Sequence, residues 1–161
     1  RVMSTNPSYL RSTATDREAT QYRDWGIPLG RRFRALKLWF HLRLDGVESI
    51  QTRLRRDLDN ARWFAEQVSQ EAHWKVVAPV TLQTVCVRHE PPGLDGDALD
   101  AHTLGWIRRI NASGEAFCSP SQLDDRWMVR VSVGVESTER SDVQFLWDLF
   151  RSETARAAAG E

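Results

Sequence analysis

The stretch "DWGIPLGRRFRALKLWFHLRLDG", Asp24 to Gly46, packs a turn, a cationic cluster and a dense apolar run into a short span. Gly26 to Gly30 ("GIPLG") is punctuated by glycine and proline, the signature of a turn. A helix is expected to follow from Arg31 to Leu44. Phe33, Leu36 and Phe40 fall on one stripe, and Leu38 and Leu42 on another. So broad an apolar surface predicts burial from two sides rather than a helix with one wet face. Arg31, Arg32 and Arg34 stand at the helix start, where the macrodipole disfavours cations. They call for carboxylate or phosphate partners, and Asp45-Gly46 ends the element.

Downstream, Ile50, Leu54, Leu58, Ala61, Phe64 and Val68 recur at spacings of three and four, predicting a helix from Glu48 to Gln70. Its other face, with Arg53, Arg55, Arg56, Asp57, Asp59 and Arg62, reads as a solvated surface of mixed sign. "WKVVAP" and "LQTVCVRHE" read as short strands, residues 97–112 as a helix and "EAFCSP" as a strand. "RWMVRVSVGV" is a strong strand, with Val129, Val131, Val133 and Val135 on one face and Arg130, Ser132 and Gly134 on the other. Ser137 or Thr138 is expected to cap a last helix with core residues Val143, Leu146, Trp147 and Phe150. Helices interspersed with strand pairs predict an α+β layer, helices covering one face of a mostly antiparallel sheet. Upstream, residues 4–24 are polar and lack an apolar period. A loop that long is expected to be functional or disordered.

The 161 residues are 41% hydrophobic, enough for one domain with a core and an appendage. Lys and Arg number 22, as do Asp and Glu, so the formal net charge is +0. That balance argues against a dedicated nucleic-acid binder, which carries a basic surplus or stripe. Cys86 and Cys118 sit in apolar, strand-like contexts and do not make a disulfide framework; packed thiols in a reducing compartment are expected. No apolar run approaches bilayer-spanning length, so the expectation is a soluble, cytoplasmic protein without a membrane partner. The histidines, His41, His73, His89 and His102, are scattered and show no metal-ligand spacing.

Taken with "NPSYL" upstream and "RWMVRVSVGVEST" and "DVQFLWDLF" downstream, the opening stretch resembles group II pyridoxal-phosphate-dependent amino-acid decarboxylases, the aromatic-amino-acid decarboxylases nearest. The resemblance implies the type I pyridoxal-phosphate fold: residues 1–36 would be the mobile loop and tail of the large cofactor domain, and 37–161 the C-terminal small domain. It implies a homodimer that converts an L-amino acid, with a tilt towards aromatic ones, to its amine and carbon dioxide, using pyridoxal 5'-phosphate. Tyr9, in "NPSYL", matches the family's mobile-loop tyrosine. There it would be the catalytic proton donor to Cα once carbon dioxide has left, a role within a positioned phenol's reach. Relatives with Phe at that position act as aldehyde synthases. Gly30, lacking a Cβ, would bring backbone close to the partner subunit's cofactor site. Arg23 is a candidate support for the loop base, and Arg130 for an interdomain contact. The family's Schiff-base lysine follows a histidine, and neither Lys37 in "RALKLW" nor Lys75 in "HWKVV" has that context. The chain opens "RVMSTNPSYL", which reads as the tail of an element, so a fragment of a longer enzyme is expected, inactive alone, with the cofactor lysine upstream of Arg1. A stand-alone, non-catalytic α+β interaction module or a separate subunit is the alternative.

Overall fold

The structure, a computed structural model, describes residues 32–159. The chain divides between Gly46 and Val47 into two compact units. In the first, helix α1 spans Ala35–Leu44 and begins later than the periodicity suggests. Arg34 occupies the N-cap position without a side-chain cap. Arg32 and Arg34 have no carboxylate partner among the described residues. At the other end the Asp45 amide donates to the His41 carbonyl at 2.9 Å, and the Asp45 carboxylate pairs with His41 Nδ1 at 3.0 Å. No residue of α1 is buried, and Leu38, Trp39 and Phe40 all lie exposed.

The second unit holds α2 (Gly46–Gln70), β1 (Trp74–Val76), β2 (Thr84–His89), α3 (Gly96–Ser113), β3 (Ser119–Leu123), β4 (Arg126–Ser132) and α4 (Arg140–Ala159). The strands form one sheet in the order β1-β2-β4-β3, every pair antiparallel. Val85 and Val87 of β2 and Val129 and Val131 of β4 alternate onto the face that meets the helices. Phe64 and Val68 of α2, Trp106, Ile107 and Ile110 of α3, and Val143, Trp147 and Phe150 of α4 complete that core. Phe150 lies at its centre, 4.9 Å from the Trp106 ring, 5.9 Å from Trp74 and 6.0 Å from Phe64. The opposite face of the sheet carries Thr84, Cys86, Arg130 and Ser132, all at least partly exposed.

Several details depart from the sequence reading, each for a local reason. The α2 period holds only in its C-terminal half: Ala61, Phe64 and Val68 are fully buried, but Leu54 is 46% exposed. The charged face of α2 is not simply solvated. Arg56 donates to Glu139 at 2.8 Å and to the Glu136 carbonyl at 2.6 Å, Arg53 pairs with Glu136 at 3.0 Å, and Asp57 is buried. The α2 arginines meet acids about eighty positions away in sequence, on the segment leading into α4. The strand expected at "EAFCSP" begins instead at Ser119, because the Asn111 side chain claims both the N–H and the C=O of Cys118 at 2.9 and 3.0 Å. Asp124 and Asp125, with φ of 51° and 57°, form a two-residue turn from β3 to β4 of the kind antiparallel hairpins favour. The alternation of β4 carries one residue past the strand, to buried Val133, and ends there, so Val135 is 66% exposed rather than in the core. Neither Ser137 nor Thr138 opens α4; it begins at Arg140, where the Asp142 carboxylate accepts the Glu139 amide at 2.8 Å. No helix among the described residues is long and apolar enough to cross a membrane.

The uneven use of the α2 period makes a direct test. Phe64→Ala should cost about 3–5 kcal/mol, the range for emptying a packed aromatic site. Leu54→Ala, on the same periodic stripe, should stay within about 1 kcal/mol because half its surface is already wet. Urea midpoints of the two variants check the contrast.

Candidate functional site

Arg130 is the one sequence-predicted site residue among those the structure describes; Tyr9, Arg23 and Gly30 lie outside the described residues. Its strand puts it on the wet face of the sheet, opposite Cys86 of β2 and Ser119 of β3 in the register. A rung further, the Thr84 and Ser132 hydroxyls meet at 3.0 Å. This row borders an open cleft of about 510 Å³, lined by Arg130, Ser132, Ser119, Phe117, Val135 and Phe145 among others. The three apolar members, Phe117, Val135 and Phe145, are largely exposed. Among the described residues no carboxylate pairs with Arg130. The face therefore presents a permanently charged guanidinium among hydroxyls, with apolar side chains and the carboxylates of Glu115 and Asp142 around the cleft. Such a surface is suited to receive a carboxylate on an otherwise apolar partner.

Glu115 and Asp142 also line the cleft, while other charges of the second unit are paired with one another. Lys75 on β1 forms an ion pair with Glu90, and Arg88 donates to the same carboxylate at 3.2 Å and to the Trp127 carbonyl at 2.8 Å. Burial works against ionisation of Glu90, but the Lys75 and Arg88 hydrogen bonds outweigh it and hold the carboxyl below its ordinary range. Arg109 of α3 donates to Glu153 of α4 at 2.8 Å. Cys118 is buried, and burial alone pushes its thiol up to about 11, which makes it a packing residue rather than a nucleophile. Cys86 is a free, half-buried thiol beside Arg130 on the wet face. Lys37 and Lys75 are exposed, and Lys75 is tied to Glu90. Neither lies in a dry cleft where an amine would be kept neutral and nucleophilic.

One grouping escaped the sequence reading, which treats the histidines as scattered. His89, at the end of β2, and His102, on α3, are joined Nδ1 to Nε2 at 2.9 Å. Thirteen residues and a change of element separate them, so no spacing signals the contact. Among the described residues no group of three or more His, Cys, Asp or Glu is arranged to hold a metal ion.

With this geometry in view, the likenesses to known proteins are informative. Residues 1–90 match the pyridoxal-dependent decarboxylase conserved domain. The chain is 36% identical to tryptophan decarboxylase 2 of Oryza sativa subsp. japonica over 96% of its own length and 31% of that relative's. It is 33% identical to phenylacetaldehyde synthase of Arabidopsis thaliana, again over 96% of this chain and 32% of the relative. In structure it is similar to the crystal structure of Oryza sativa TDC with PLP and tryptamine, with a TM-score of 0.81 and 30% identity, covering 96% of this chain and 33% of that one. The chain thus spans about a third of the length of the relatives it matches. A domain match over more than half of its residues, with the α+β layer and the order of elements in agreement, places the chain in the pyridoxal-dependent decarboxylase family.

Proposed function

We propose that the whole protein is a carboxy-lyase that uses pyridoxal 5'-phosphate to convert an aromatic L-amino acid to its amine and carbon dioxide. The observation that carries the reading is the likeness, over nearly the full chain, to relatives named for tryptophan and tyrosine decarboxylation. Within that enzyme, a cytoplasmic homodimer on this reading, residues 37–161 form the small domain and 1–36 the tail of the large one.

The described residues do not fit the cofactor's covalent attachment. Lys37 and Lys75 are exposed, and Lys75 is neutralised by Glu90. This chain's share of the work is to shape and close the site. Arg130, unpaired on the wet face of β4, anchors the small domain to a carboxylate of the large domain and leaves the substrate's own carboxylate free to depart. Tyr9 delivers the proton that Cα needs after carbon dioxide has left; the phenol is a donor that a closing loop can bring in as water leaves. A phenylacetaldehyde synthase among the relatives supports a branch point of this kind.

The assignments separate experimentally. Purified alone and mixed with pyridoxal phosphate, the chain should keep no imine absorbance after dialysis; a stable adduct on Lys37 or Lys75 refutes the division of labour.

Arg130→Gln should leave the urea midpoint of the isolated chain unchanged to within about 0.5 kcal/mol, since no described partner is lost. In the whole enzyme it should lower kcat/KM about tenfold, the worth of one charge-assisted hydrogen bond. Full activity would remove Arg130 from the interdomain contact.

In the whole enzyme Tyr9→Phe keeps the ring and removes its proton. Amine formation should fall at least tenfold, while carbon dioxide release continues and aldehyde, ammonia and peroxide appear in the presence of dioxygen. Amine made at the parent rate rules Tyr9 out as donor, and loss of substrate binding makes it structural.

A further inference from the structure

We propose that the His89–His102 pair is an acid-operated latch, fastening α3 to the β1–β2 end of the sheet while its N–H···N bond exists and releasing it when both rings are protonated. The 2.9 Å contact from His89 Nδ1 to His102 Nε2 needs one N–H and one lone pair. Two imidazolium rings offer donors only, and at that separation they repel.

The pair adds a polar link between elements that also meet through the Trp74 and Trp106 rings, 5.7 Å apart, and through Asp100 of α3, which accepts the Trp127 amide at 3.0 Å. His89 is the last residue of β2, and its register partner is Trp74, the first of β1. The Trp74 ring lies 5.0 Å from His89, and the His102 ring lies 5.1 Å from it. His89 is only 8% exposed and His102 partly buried, so on the His89 side water cannot take over the hydrogen bond without the corner opening.

The surrounding charges leave nothing to neutralise a second proton. From the turn before β1 come His73 and Glu71, and Glu71 is engaged by Arg151 of α4 at 3.8 Å. From β1 and β2 come Lys75 and Arg88, both on Glu90. From α3 and α4 come Arg109 and Glu153, paired at 2.8 Å, with Arg156 on the other Glu153 oxygen at 3.1 Å. Each of these carboxylates, and Asp100 two residues before His102, which pairs with Arg126 at 3.5 Å, is thus already committed to a cation. Burial first, then His102 and His73, push His89 down to about 4, and burial followed by Arg109 lowers His102.

The sign follows from linkage. Both rings favour the neutral form in the fold more than in the open chain, whose histidines titrate near the ordinary 6.5. The opened state therefore binds more protons. The latch is fully effective above pH 6.5 and is lost progressively as pH falls towards 4. For His89 alone the closed-to-open ratio should drop on the order of a hundredfold between pH 7 and pH 4.

The test is histidine NMR and amide hydrogen exchange on the 161-residue chain. The rings of His89 and His102 should resist protonation well below the ordinary imidazole value of 6.5. Protection of the α3 amides should fall over the same range as the rings protonate, before that of the buried C-terminal half of α2. His102→Gln keeps a hydrogen-bonding partner for His89 but cannot ionise, so its acid loss of α3 protection should be smaller than the parent's. Both rings titrating at or above the ordinary 6.5, or α3 protection independent of their protonation, overturns the latch. So does a folded His102→Gln variant with the parent's acid profile. If that variant does not fold, the titration and exchange of the unaltered chain decide alone.

Discussion

Phe150 is the contact on which the second unit turns. Its ring meets Trp106 of α3, Trp74 at the start of β1 and Phe64 of α2, while Trp147, one helical turn earlier, meets Phe64 and Trp74. Aromatic pairs at these separations add about 0.5–1.5 kcal/mol each beyond the area they bury. More important is where the rings come from: three helices and the edge of the sheet converge on one cluster. That convergence stacks the helices on a single face, against Val85, Val87, Val129 and Val131.

The layer leaves the other face of the same strands polar and partly open. Because side chains alternate along a strand, packing the valines inward obliges Arg130 and Ser132 to point outward. The unpaired cation is thus a by-product of core formation as much as of any site chemistry, and it is available for a partner because the register sets it opposite Cys86 and Ser119 rather than an acid. Several other charges are paired with one another. Arg56 reaches Glu139, Arg109 reaches Glu153, and Lys75 and Arg88 share Glu90. Such pairs bind the elements into one geometry more than they add net stability, since exposed ion pairs are individually worth little.

The chain belongs to the pyridoxal-dependent decarboxylase family and spans about a third of the length of the relatives it matches. Among the described residues the lysines are exposed, and burial raises the Cys118 thiol. What the second unit offers is a stiff layer with one charged, apolar-rimmed face, the kind of body that positions other groups. The histidine pair adds a place where protonation bears on how firmly that layer holds together.

The family was legible in the sequence, carried by "DWGIPLGRRFRALKLWF" and by "RWMVRVSVGVEST". So were the antiparallel α+β layer, the inward valines of β4, the helix from Gly96 to Ser113 and the core stripe of α4. These are matters of local period and propensity, which each segment carries within itself. Other features depended on what lay across the fold. The alternation of β4 could not say that Val135 falls beyond the strand, and the period of α2 could not say that Leu54 is wet while Asp57 is buried. Asn111 displaced the start of β3 by taking the backbone of Cys118, and His89 found His102 on a different element. The reason is the same in each case. Periodicity reports which side of an element is apolar, whereas partnership and burial depend on the three-dimensional juxtaposition of segments that no local pattern encodes.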